Sequence, residues 1–180
     1  IQPKKQYYII SDNYIKFWFR FVYPYEEYID SMMPETALSQ FEKGFNTYLG
    51  TVFEDICREV VRLKFRYPRL GRQFGAVPRQ HQKTVGDTTY EIDILSISDE
   101  GGILYGECKW SENVDAIEIV KKMDQRASLI LWKNKSTEVK TETYMIFARS
   151  FKPGTVIDTW NGNKVSCFTL SDIETALKSV

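Results

Sequence analysis

Three charged residues sit inside two stretches that otherwise read as buried strand. Asp93 interrupts Tyr90-Glu91-Ile92-Asp93-Ile94-Leu95, and Glu107 and Lys109 stand two apart in Gly106-Glu107-Cys108-Lys109-Trp110. Side chains two apart in a strand point the same way, so Glu107 and Lys109 share one face and Cys108 takes the other. A charge buried in mid-strand is costly unless it is paired. Two carboxylates and a lysine on one face cost less when a divalent cation lies between the acids. Mg²⁺ or Mn²⁺, hard ions that take oxygen ligands, suit such a set. The ion would polarise a phosphodiester and acidify a bound water. A lysine beside it would orient or deprotonate that water, or offset charge in the transition state. The alternative for the same residues is a buried ion-pair network.

The acids meet only if the segments that carry them pair. Residues 88–98 alternate as a strand, with Ile92, Ile94 and Ser96 on one face and Glu91, Asp93, Leu95 and Ile97 on the other. Asp99-Glu100-Gly101-Gly102 predicts a tight turn, and residues 103–110 the return strand of a hairpin. Upstream, Phe41, Phe45, Tyr48, Leu49, Val52, Phe53, Ile56, Val60 and Leu63 recur at three- and four-residue steps, which predicts a long helix over 39–65 ended by Tyr67-Pro68. Glu54 lies at the edge of that stripe and could reach the hairpin acids; its alternative is an ion pair with Arg58, one turn on. Glu91 shares the face of Asp93 and could be an outer ligand or an exposed strand acid. Residues 73–80 read as a weak strand, 115–131 as a helix, 142–148 and 164–170 as strands, and 173–178 as a last helix capped by Ser171-Asp172.

The chain has 180 residues, 24 basic and 24 acidic, for a net charge of zero. That excludes a uniformly basic nucleic-acid coat but not a local patch. Residues 56–83 hold Arg58, Arg62, Lys64, Arg66, Arg69, Arg72, Arg79 and Lys83 against Glu59 alone, a net +7. Residues 84–120 hold nine acids against Lys109 alone, a net −8. The basic stretch could hold a phosphate backbone; its bland reading is solvated surface. On the following helix, Lys121, Lys122 and Arg126 have the same two readings. Cys57, Cys108 and Cys167 form no C-x-x-C pair, which points to a reducing, cytoplasmic setting, and Cys108 reads as a small buried filler. His81 is the only histidine, which disfavours a two-histidine metal site or a serine triad. No apolar run approaches the ~20 residues of a membrane span. The chain opens without Met and reads as a piece of a longer one. Residues 7–33 carry ten aromatics; Ser11 or Asp12 would cap a short helix there that Pro24 ends. With aromatics on every side, that helix should be buried on several faces. The expected organisation is an aromatic-rich helical extension over 1–38 packing on an α/β domain over 39–180.

Glu54, Asp93 and Glu107-Cys108-Lys109, in that order of elements, resemble the PD-(D/E)XK nuclease superfamily, with Ile92 in place of the motif's proline, a departure many members share. The resemblance implies a core of helix, three-stranded meander, helix and strand around a mixed central sheet. It also implies a metal-dependent nuclease acting on DNA. Asp93 and Glu107 would hold Mg²⁺ or Mn²⁺, Glu54 would assist the metal, and Lys109 would position the attacking water. Arg58, Arg62, Arg72, Arg79 and Lys83 would contact nucleic acid. Over nearly the whole chain, Tyr8-Ile9-Ile10-Ser11-Asp12-Asn13-Tyr14-Ile15-Lys16-Phe17-Trp18-Phe19-Arg20-Phe21-Val22, Tyr48-Leu49-Gly50-Thr51-Val52-Phe53-Glu54 and Gly106-Glu107-Cys108-Lys109-Trp110 resemble the C-terminal domain of the archaeal AAA-type ATPase family. That implies upstream ATPase and winged-helix parts on the same chain, with residues 6–10 as the winged helix's last strand. No G-x-x-x-x-G-K-[ST] occurs, so this stretch should not itself bind ATP. The alternative function is a non-cleaving module of the same fold that binds nucleic acid or protein and regulates the ATPase. Cutting both strands of a duplex would call for a homodimer.

Overall fold

The computed structural model describes residues 10–65, 67, 69–77, 82, 88–98, 101–129 and 141–178. They divide into two compact units, one ending at Val52 and the other starting at Phe53.

The first unit is helical. Asp12 caps α1 (Asn13–Phe17) by accepting the Ile15 N–H at 2.8 Å. The chain then continues without a break through a π turn (Trp18–Val22), a 3-10 turn (Tyr23–Tyr25) and α2 (Glu26–Asp30). Pro24 therefore does not end the helical path. It lies at the start of the 3-10 turn, where a missing N–H costs nothing. α3 (Pro34–Lys64) begins five residues before the apolar stripe predicts, with proline at its first position. Phe17 and Phe21 pack edge-on against Phe41 and Tyr48 of α3, and the Tyr48 hydroxyl donates to the Asn13 carbonyl at 2.7 Å. Phe21 is buried, whereas Tyr14, Phe19 and Tyr23 are exposed in this stretch.

The second unit is a mixed six-stranded sheet with helices on both faces. Its strands are β1 (Leu70–Ala76), β2 (Thr89–Ile97), β3 (Ile103–Lys109), β4 (Glu142–Ala148), β5 (Thr159–Trp160) and β6 (Asn163–Phe168), in the order β1-β2-β3-β4-β6-β5. β1, β2 and β3 form an antiparallel meander, and α4 (Ala116–Ala127) carries the chain over to β4, which is parallel to β3. β6 is parallel to β4 and β5 pairs antiparallel with β6. Both faces are covered, which is why β3 and β4 are buried almost end to end. On one face Phe53, Cys57, Val60 and Val61 of α3 and Ile173 of α5 (Leu170–Lys178) pack on Ile94, Leu104, Cys108 and Phe147. On the other, Ala116, Val120, Met123 and Ala127 of α4 pack on Ile92, Tyr105, Tyr144 and Ile146.

Ile92 and Ile94 thus face opposite cores, contrary to simple alternation. Gly71 pairs with Leu95 and Gln73 with Ile92, so Arg72 opposes two residues, Asp93 and Ile94. β2 has a bulge there, and every residue on one side of it has the opposite parity from that expected. Other boundaries shift less. β1 starts at Leu70 rather than residue 73, and α5 is capped by Thr169, whose N–H and hydroxyl engage Asp172 while the Asp172 N–H points back to Thr169. β5 is an element that the sequence reading lacks. Asn161 and Gly162 form its two-residue turn, with φ of 48° and 80°. No helix among the described residues is long and apolar enough to cross a membrane.

β3 comes close to β2 at Gly106, which pairs with Ile94. A Cβ on Gly106 would lie 2.8 Å from the Ile94 Cβ. Gly106→Ala should therefore destabilise the domain by about 1–3 kcal/mol, measured as a lower urea midpoint with an unchanged slope.

Candidate functional site

The bulge determines where Asp93 goes. Asp93 is 8% exposed, and its Oδ2 accepts the Cys108 N–H from β3 at 2.8 Å. Burial pushes this carboxyl above the ordinary aspartate value, and the neighbouring negative charge of Glu107 pushes it further; the Cys108 N–H and Lys109 pull the other way. Two carboxylates are therefore buried side by side on adjacent strands.

Glu107, 4% exposed, is held by two cations. Lys109 Nζ lies 2.7 Å from its Oε1, as expected for residues two apart on a strand. The second cation is Arg126, near the end of α4. One of its terminal nitrogens donates to both carboxylate oxygens, at 3.1 Å to Oε1 and 2.9 Å to Oε2. Asp124, on the same turn of α4, accepts from the Tyr144 hydroxyl at 3.0 Å, Trp160 Nε1 at 3.2 Å and Asn161 Nδ2 at 3.0 Å. Those bonds tie the end of α4 to β4 and to the β5–β6 turn, and so position Arg126.

Glu54 belongs to a second network. Its carboxylate pairs with Arg58 at 3.1 Å and with Arg72, and Arg72 also reaches Glu91 at 3.4 Å. Arg58 pairs with Asp55 as well, and its Nε donates to the Asp93 carbonyl at 3.5 Å, which links the two networks. Among the described residues no group of three or more His, Cys, Asp or Glu is placed to hold a metal ion. The expected set of three carboxylates is thus not assembled: Asp93 and Glu107 are together, and Glu54 is turned to arginines.

Three arginines of the basic stretch have acid partners. Arg58 and Arg72 face the acids above, and Arg62 pairs with Glu59. Arg79, Lys83 and His81 lie outside the described residues. Lys122 pairs with Glu118 at 2.6 Å, a four-residue spacing visible in the sequence. Nothing in the spacing ties Arg126 to Glu107, because that contact depends on how α4 lies across β3. Cys108 points to the opposite face, towards Cys57; burial and that neighbour push its thiol well up, which disfavours the thiolate. A cavity of about 250 Å³ opens beside β1 and β2, lined by Arg69, Gly71, Arg72, Gln73 and Leu95 among others, and shares Arg72 with the Glu54 network.

Residues 18–122 match the family DUF234, described as "Archaea bacterial proteins of unknown function". The chain belongs to that family. The DUF234 match includes Glu54, Asp93, Glu107 and Lys109 and ends short of Arg126. The chain is also similar to the uncharacterized protein MJECL04 of Methanocaldococcus jannaschii, at 26% identity over 140 residues. That alignment covers 72% of this chain and 29% of the relative's length, so the chain spans under a third of that protein. No solved structure matches this DUF234 chain.

The raised Asp93 gives a testable sign. An acid whose folded value lies above its unfolded one binds its proton more tightly in the native state. Stability then falls as pH rises from the ordinary aspartate range, ~4, through the raised value. Asp93→Asn keeps an oxygen to accept from Cys108 and has no charge to bury. It should match wild type near pH 4 and be more stable at pH 7 by urea denaturation. Lower stability of the Asn variant at pH 7 would contradict this account of the carboxyl.

Proposed function

We infer that this DUF234 domain is a metal-dependent phosphodiesterase of PD-(D/E)XK type acting on DNA, the C-terminal part of an archaeal ATPase. One observation carries the reading. Asp93 and Glu107, buried side by side on the antiparallel β2 and β3, share their site with Lys109, and α4 and the parallel β4 follow. The order of helix, meander, helix and strand supports the same core.

The residues present fit a hard divalent ion. Both side chains at the centre are carboxylates, and burial together with the charge of Glu107 raises Asp93, so a 2+ ion there would favour both charged forms. Asp93 and Glu107 would hold Mg²⁺ or Mn²⁺. When bound, the ion supplies Lewis acidity to the phosphodiester and a more acidic water. Glu54 would join only by leaving Arg58 and Arg72. Lys109 is 39% exposed by its side chain, so its ammonium can turn from Glu107 towards a substrate oxygen or the attacking water. Cys108 contributes its backbone N–H, which fixes the Asp93 carboxyl.

A second reading has its own support: Glu107 and Glu54 already pair with cations inside the chain, and Asp93 accepts the Cys108 N–H. Glu107 holds Lys109 and Arg126, Glu54 holds Arg58 and Arg72, and Arg62 holds Glu59. A site balanced in this way suits a module that binds nucleic acid or protein and regulates the attached ATPase without cleaving.

Incubation of the chain with Mn²⁺ or Mg²⁺ and linear, flapped and four-way-junction DNAs separates the two. Cleavage is expected, reduced by ~10²–10⁴ in Lys109→Ala and abolished in Asp93→Ala. Intact DNA under all conditions, with binding retained, would overturn the enzymatic reading in favour of the regulatory one.

A further inference from the structure

Arg126 lies outside the acid–acid–lysine pattern, and its guanidinium covers the part of Glu107 that a cation would use. One nitrogen spans both carboxylate oxygens, at 3.1 and 2.9 Å. A group that bridges the two oxygens of a buried carboxylate occupies the position of greatest negative potential on it. The Glu107 side chain is 6% exposed and that of Arg126 is 33% exposed, so the acid is fixed and the base has solvent to move into. α4 anchors its backbone through Asp124, but the long side chain keeps its own freedom. Lys109 lies 2.7 Å from Oε1 and comes from the same strand as Glu107.

We propose that Arg126 is a displaceable counter-cation for the metal site. It holds the Glu107 carboxylate while no divalent ion is bound, gives it up when one binds, and thereby sets the metal affinity. The proposal rests on the metal-dependent reading above. In the metal-free chain, Arg126 compensates a buried charge that would otherwise rely on Lys109 alone. When a 2+ ion arrives, that compensation becomes competition, because guanidinium and metal seek the same two oxygens. The released guanidinium would then lie on the solvent side of the site, free for an anionic substrate. Arg126 is a positioning residue by this account, since it acts through Glu107.

The test is Mn²⁺ binding to the whole chain, read from the free-ion electron paramagnetic resonance signal, with thermal melts alongside. Arg126→Gln removes the competing charge and should bind Mn²⁺ on the order of tenfold more tightly than wild type. Arg126→Lys keeps the charge on a shorter side chain that reaches Glu107 less closely, and should fall between. Glu107→Gln should lose the site. Without metal, Arg126→Gln should melt below wild type, and saturating Mn²⁺ should close that gap by linkage. A purely structural Arg126 would leave the gap open and the Mn²⁺ affinity unchanged. Wild type that binds Mn²⁺ with Arg126→Gln equal or weaker would overturn this inference and leave the metal-dependent reading standing. No Mn²⁺ bound by wild type or by a folded Arg126→Gln would overturn both.

Discussion

Asp93 and Glu107 are two carboxylates buried next to each other in a sheet covered on both faces, and the local structure is arranged around that constraint. Burial first, and the charge of Glu107 after it, raise the Asp93 carboxyl above its ordinary value. Replacing buried ionic groups with well-packed apolar side chains is often neutral or stabilising. This fold keeps the pair and compensates it. A bulge in β2 re-aims Asp93, the Cys108 N–H fixes one of its oxygens, Lys109 and Arg126 neutralise Glu107, and Asp124 fastens the end of α4 that delivers Arg126. Local rules broken at one place and compensated nearby are the pattern expected of a functional site.

The second network gives the arginines a different role from the one their density suggests. Arg58 and Arg72 carry charge from α3 and β1 to Glu54 and Glu91, and the Arg58 Nε reaches the Asp93 backbone at the bulge. Partly buried ion pairs of this kind fix geometry more than they add stability. They brace the bulge between a helix and an edge strand. The net charge of zero is consistent with that use, because acids distributed along the chain meet bases inside it.

Much of this was legible in the residues. Alternation and turn chemistry give β2, β3 and their pairing, and the apolar stripe gives α3 within a few residues at each end. The two-residue spacing of Glu107 and Lys109 gives their shared face. What escaped depends on tertiary contacts. The bulge at Asp93 arises from pairing with β1 and leaves no mark in β2 itself, so Ile92 and Ile94 read as one face and prove to be two. Arg126 reads as one more charge on a solvated helix, since its partner is on a strand 19 residues away. The Asn161-Gly162 hairpin is the reverse case. Its signal is plain in the sequence, but two-residue β5 is too short to show alternation.

The most direct measurement is a crystal structure of the chain grown with Mn²⁺, with data collected for the metal's anomalous signal. The account expects one strong anomalous peak between the Asp93 and Glu107 carboxylates, with the Arg126 guanidinium turned away from Glu107. A chain that crystallises in saturating Mn²⁺ with no peak there, and with Arg126 still across both oxygens, would contradict it and make the pair a structural ion network.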